Sequence, residues 1–161
     1  MSRGADGGTW SPGPEAAPRW QVDVWRDDRS GEAPFEKWFR RADPYVQAVV
    51  DAVITEVVEP HGIDLLGTPW CTGLGDGLYE IRIRQSLNAV RGRAGPDGAR
   101  RPGADRGGRR PVLLRLFVTF HGERVVLLLH AYDKGRDPSE RRQRREIARA
   151  RRHLATWRTS G

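Results

Sequence analysis

Apolar and polar residues alternate over Trp20-Gln21-Val22-Asp23-Val24-Trp25, the period of a strand with one face on a core. Phe35, Trp38 and Phe39 then recur at helical spacing, which predicts a short helix ending before Asp43-Pro44, with the proline opening the next helix. Val46, Val49, Val50, Val53, Ile54 and Val57 form a single stripe at helical spacing, and Glu59-Pro60-His61-Gly62 closes that second helix.

After a glycine-rich approach (Gly73, Gly75, Gly77), alternation returns at Leu78–Arg84, with Tyr79, Ile81 and Ile83 on one face and Glu80, Arg82 and Arg84 on the other. Val112–Phe120 and Glu123–Tyr132 read as two apolar strands joined by a tight turn at His121-Gly122, hence an antiparallel hairpin. Asp137-Pro138-Ser139-Glu140 reads as a helix start, with Asp137 able to cap, Pro138 at the first helical position and Glu140 three residues on. The helix it opens carries Ile147, Ala150, Leu154 and Trp157 as a narrow apolar stripe among arginines. The order is therefore βααβββα. The expected class is α+β, a small antiparallel sheet with helices packed on one face and the other face open.

Two stretches lack any such pattern. Residues 1–18 are rich in Gly, Pro and Ala, with Trp10 the only large apolar residue, and read as a disordered tail. Residues 91–110 carry seven Arg and two Asp among Gly, Pro and Ala, and read as a disordered basic insertion between strands. The remainder, residues 19–158, is the size of one domain.

Charge changes this picture at one end of the chain. Residues 134–158 hold ten Lys or Arg against three acids, which accounts for the whole formal charge of +7. A field so concentrated suits a polyanion: nucleic acid first, an acidic protein or an anionic membrane next. Cys71 is the single cysteine, so neither an intramolecular disulfide nor a thiolate cage can form. The first eight residues lack a signal peptide's apolar core, and the longest aliphatic run, Val125–Leu129, is far too short to span a bilayer, which leads to an expected cytoplasmic location and no membrane partner.

His61, His121, His130 and His153 show no metal-ligand spacing, and no phosphate loop or dinucleotide fingerprint is present, so neither metal nor cofactor is expected. What remains is cationic: Arg82, Arg84 and Arg115 on strands, with His130, Tyr132, Lys134 and Arg136 where the last strand leaves the sheet. Such a set suits phosphates, and RNA can be cleaved without a metal because its own 2′-OH attacks the adjacent phosphate. Each residue has a plainer reading as well. Arg82 and Arg84 can merely solvate an exposed strand, while Arg115, inside an apolar strand, needs an acidic or anionic partner if shielded from water. His130 can be a satisfied strand histidine, Tyr132 can be core, and Lys134 and Arg136 can be helix-flanking charges. The arginines of the last helix, Arg141, Arg142 and Arg145 among them, surround it too widely for one contact face and would steer RNA rather than cut it.

Leu74-Gly75-Asp76-Gly77-Leu78-Tyr79-Glu80-Ile81-Arg82, the aliphatic hairpin, Leu127-Leu128-Leu129-His130-Ala131-Tyr132-Asp133-Lys134-Gly135 and the terminal Arg-rich helix with Arg145-Glu146-Ile147-Ala148 together resemble the RelE/ParE superfamily, closest to its phage-derived, HigB-like branch. The resemblance covers roughly residues 20–158. It implies the toxin of a type II toxin–antitoxin system: a metal-independent mRNA endoribonuclease acting on the ribosome and silenced by a helix-turn-helix antitoxin. It also implies catalytic cations at Arg82 and Arg115 and further basic residues at Lys134 and Arg136. The expected catalytic set is Arg82, Arg115, His130, Tyr132 and Lys134, and the expected RNA-binding set is Arg84, Arg136, Arg141, Arg142 and Arg145. Two departures stand out: Glu80 occupies a place where some members are basic, and the 91–110 insertion interrupts a short connection. The same fold also serves inhibitors of DNA gyrase, and a non-catalytic nucleic-acid- or protein-binding module is the remaining alternative.

Overall fold

A computed structural model of the chain describes residues 18–94 and 108–160. All of the expected 1–18 tail except Pro18, and the middle of the expected insertion, residues 95–107, lie outside the described residues.

The elements follow the periodicities closely at first. Strand β1 is Gln21–Val24, and α1, Pro34–Arg41, buries Phe35. Helix α2, Pro44–Val53, starts with Pro44 behind an Asp43 cap, whose carboxylate accepts from the Val46 amide at 3.0 Å. The valine stripe runs on through a wider π turn, Ile54–Val58, into a last helical turn α3, Glu59–His61, and a tighter turn Gly62–Leu65.

The glycine-rich approach proves to be a strand. Here β2, Cys71–Gly75, pairs antiparallel with β3, Leu78–Ile83, through the two-residue turn Asp76-Gly77. Both turn residues have positive φ (57° and 81°), the twist a tight hairpin needs and one that Asp-Gly adopts readily. A short helix α4, Leu87–Ala94, then takes up the first residues of the expected disordered insertion, because Ser86 caps it at the Ala89 amide (3.2 Å) and Val90 is fully buried. On the far side, Gly108 accepts from the Asn88 amide at 2.9 Å, and the Arg110 carbonyl accepts from the Tyr45 hydroxyl at 2.6 Å. Strands β4, Leu114–His121, and β5, Val125–Asp133, form the expected hairpin, with its turn lying at residues 122–124 rather than at His121-Gly122. Helix α5, Glu140–Thr159, begins two residues later than the sequence suggests: Ser139 is the cap, accepting from the Arg142 amide at 3.1 Å, and Asp137 instead accepts from the Ser139 amide.

The class is α+β, but the sheet is mixed rather than antiparallel. Its order is β1-β5-β4-β3-β2, and β1 runs parallel to β5. Nor does one face stay open. Val46, Val49, Val50 and Val53 of α2 pack on Ile81, Ile83, Leu114, Leu116, Val118, Val126 and Leu128. On the opposite face Ala150 and Leu154 of α5 pack on Leu78, Phe117, Leu127, Leu129 and Tyr132, with Trp25 beside them. The reason is the composition of the strands: β4 and β5 are apolar on both sides, and a sheet apolar on both faces must be covered on both.

A bulge in β5 completes the geometry. Phe117 pairs with His130 and Val118 with Leu128, so Leu129 is the extra residue. Leu129 joins the α5 cluster and His130 meets Glu146 of α5, so both face the same helix.

Candidate functional site

Strand register sets two rows of side chains across the α5 face. Arg82, Arg115 and Tyr132 stand opposite one another on β3, β4 and β5, and one step along lie Glu80, Phe117 and His130. Two arginines side by side on neighbouring strands repel, so the first row needs an anion. Glu80 supplies it: its Oε1 lies 3.2 Å from the Arg82 Nε and 3.7 Å from the Arg115 Nε. This is the acidic partner that a shielded Arg115 requires, and the chain provides it internally.

Burial divides this group into floor and rim. Glu80 and Tyr132 are each 1% exposed and Arg115 4%, whereas Arg82 keeps 34% of its side chain exposed. On the floor, Arg115 donates to the Leu114 carbonyl at 3.1 Å, while its Nε, the second Glu80 oxygen and the Tyr132 hydroxyl have no hydrogen-bond partner among the described residues. Burial, opposed by Glu80 and reinforced by Arg82 and Arg84, pulls the Arg115 guanidinium below its usual value; burial and then Glu80 push the Tyr132 phenol up, keeping it protonated.

On the rim, Lys134 donates to Gln143 Oε1 of α5 at 2.9 Å. Partial burial, followed by the repulsion of Arg115, Arg82 and Arg84 against the attraction of Glu80, lowers the Lys134 ammonium below the usual lysine range. Four cations, Arg82, Arg84, Arg115 and Lys134, thus act electrostatically on one another with Glu80 among them, an arrangement that gains from an added anion.

The remaining sequence candidates lie elsewhere. His130 is not brought to this group: its ring stacks on Phe117 (6.0 Å between centroids, 13° between planes), which in turn stacks on Tyr132 (6.0 Å, 6°), and its Nε2 is 2.7 Å from Glu146 Oε1. Burial holds His130 below its usual pKa against the pull of Glu146, so the neutral ring donates from Nε2. Burial alone would raise Glu146, but the hydrogen bonds from His130 and Arg142 bring it below the usual carboxylate range. Arg142 is therefore turned inward, bonded to Glu146 and lying 5.3 Å from the Tyr132 ring centre, while Arg141 and Arg145 are exposed on α5. Arg136 is exposed and 3.6 Å from Asp133.

Neither of the two acids that organise the site, Glu80 and Glu146, is among the sequence candidates. Glu80 was visible as the sole acid on a face shared with Arg82 and Arg84. Glu146 sits one turn before Ala150 and two before Leu154, a charge in line with the buried stripe.

Among the described residues, no group of three or more His, Cys, Asp or Glu side chains could hold a metal ion, and no helix is long and apolar enough to cross a membrane. No family model matches the chain, and no curated protein matches it.

Proposed function

We propose that this chain is a metal-independent endoribonuclease of the RelE/HigB type, the toxin of a type II toxin–antitoxin pair acting on ribosome-bound mRNA. The observation that carries the reading is the pairing of Arg82 and Arg115 on the single carboxylate of Glu80, with Arg84 and Lys134 within electrostatic reach of Arg115. A phosphodiester on the rim offsets part of the remaining positive charge, and the charge that builds on its oxygens as the 2′-oxygen attacks is met by groups already in place. The succession of strand, two helices, antiparallel strands and terminal helix supports the fold reading; β2, α4 and the parallel β1 are additions to it.

The roles follow burial. Arg82, Arg84 and Lys134 can touch a phosphate. Lys134, bonded to Gln143 of α5, is the rim cation suited to meet the charge that builds on the phosphate oxygens. Arg115 acts through Glu80, holding Arg82 and adding positive field from below, and Tyr132 forms the floor. His130 leaves the catalytic set and anchors α5 through Glu146.

Induced expression of the wild type, Lys134→Ala and Arg115→Ala, with transcript 5′-end mapping, tests this. Wild type arrests growth and yields new 5′ ends. Lys134→Ala, a rim change that removes no core packing, loses about 100-fold or more in cleavage, the scale of removing one charge-stabilising group. Growth arrest with intact transcripts, or DNA-damage signalling in their place, overturns the reading.

A further inference from the structure

Next to the cation group, on the other side of the β5 end, a cleft of about 200 Å³ is lined by Trp38, Arg41, Asp43, Asp133, Arg136 and Arg142. Asp133 lies between Tyr132 and Lys134, and alternate residues at a strand end serve opposite faces, so one short segment feeds both places. Arg142 joins them directly, lining the cleft and lying over the Tyr132 ring.

We infer that this cleft is a nucleobase subsite that takes one unpaired guanine of the RNA whose phosphate rests on the rim. This rests on the nuclease reading. The volume is below the roughly 300–1,000 Å³ of sites for drug-sized ligands, which suits one planar ring system. Trp38, half-buried against Phe35 (5.9 Å between ring centroids), is a fixed aromatic surface of the kind on which unstacked RNA bases lie. Arg41 and the exposed Arg136 supply positive charge for the flanking phosphates.

The two carboxylates select the base. Asp43 Oδ1 accepts from the Val46 amide and Asp133 Oδ1 from the Gly135 amide at 2.9 Å. Arg110 lies 3.6 Å from Asp43 Oδ1 and Arg136 3.6 Å from Asp133 Oδ2, ion pairs too long to be hydrogen bonds, and a carboxylate offers about four acceptor positions, so both retain capacity. Guanine presents N1–H and N2–H₂ side by side, a pair of donors matched to one carboxylate; uracil offers a single N–H flanked by acceptors that a carboxylate repels. The larger groove beside Arg26, Lys37 and Arg40 is a poorer candidate, because Glu36 already pairs with both Arg26 and Arg40.

The test uses the full chain and non-cleavable 2′-O-methyl uridine tetranucleotides in which one guanosine is moved through the four positions. Guanosine at one position should strengthen binding about tenfold, the scale of one stacked, recognised base. Trp38→Phe should keep this preference, Trp38→Ala should abolish it, and Asp133→Asn, a change at the partly exposed last residue of β5 that keeps an oxygen for the Gly135 amide, should remove the guanosine preference without weakening the all-uridine tetramer. Equal binding of all tetramers by the wild type, or a preference that survives both Trp38→Ala and Asp133→Asn, overturns the inference. The outcomes separate the two readings: a Trp38-dependent preference in a protein that leaves transcripts intact keeps the subsite and removes the nuclease, and transcript cleavage without the preference does the reverse.

Discussion

Glu80 carries more of the structure than any other single side chain in the site. It lies between two arginines, 1% exposed, and an ion pair taken from water is held only while both partners are present. Replacing Glu80 with Ala strands Arg115 in the core; urea unfolding should register a loss of about 3–5 kcal/mol, the usual consequence of leaving one charge of a buried pair alone. A loss below about 1 kcal/mol would mean that Arg115 reaches water and that the floor of the site is not dry. Glu80 also explains why the residue scale was the least legible in the sequence. The alternation that put Glu80, Arg82 and Arg84 on one face was right, but whether that face met water depended on α5, which is 60 residues further on in the chain.

At the scale of elements, local signals were read well and long-range ones poorly. The stripes of α1 and α2, the alternation of β3 and the β4–β5 hairpin are short-range patterns, and they occur where periodicity puts them. β2 has glycines where alternation would need side chains, so its identity rests on the Asp76-Gly77 turn and on pairing with β3. That turn can be tested by itself. Gly77 has a φ of 81°, and a Cβ there would run into the guanidinium of Arg158. Gly77→Ala should cost about 1–2 kcal/mol in thermal or urea unfolding through the left-handed backbone alone, with the flexible Arg158 moving aside. An unchanged stability would show that the hairpin turn is not held in this conformation. The parallel placement of β1 and the covering of the second face by α5 had no local signature, since both are decided by which apolar surfaces find each other.

For the whole molecule, acid is the revealing variable. The face under α5 holds two partly buried histidines: His130, lowered by burial, and His153, lowered to about 4 by burial and by the charges of His130, Arg152 and Arg149, with its ring 5.0 Å from Trp25. Above the ordinary histidine pKa of 6.5 both folded and unfolded chains are neutral there. As pH falls from about 6.5 towards 4, the unfolded chain takes up protons that the folded one refuses, so stability drops through this window. Glu146, held low by His130 and Arg142, adds a further loss below the ordinary carboxylate range as its own proton binds. The melting temperature should therefore fall between pH 7.5 and 4.5, and His153→Gln should fall less steeply than wild type; parallel curves would contradict the burial of this histidine. The parallel pairing of β1 with β5 has a consequence in time. Roughly 100 residues separate Gln21 from its partner Val125, so a chain growing at about 5–20 residues per second leaves the ribosome with its first strand unpaired for some 5–20 s. The row of Arg82, Arg115 and Tyr132 is incomplete over the same interval, so the cation group can assemble only once Tyr132 has been added to the growing chain.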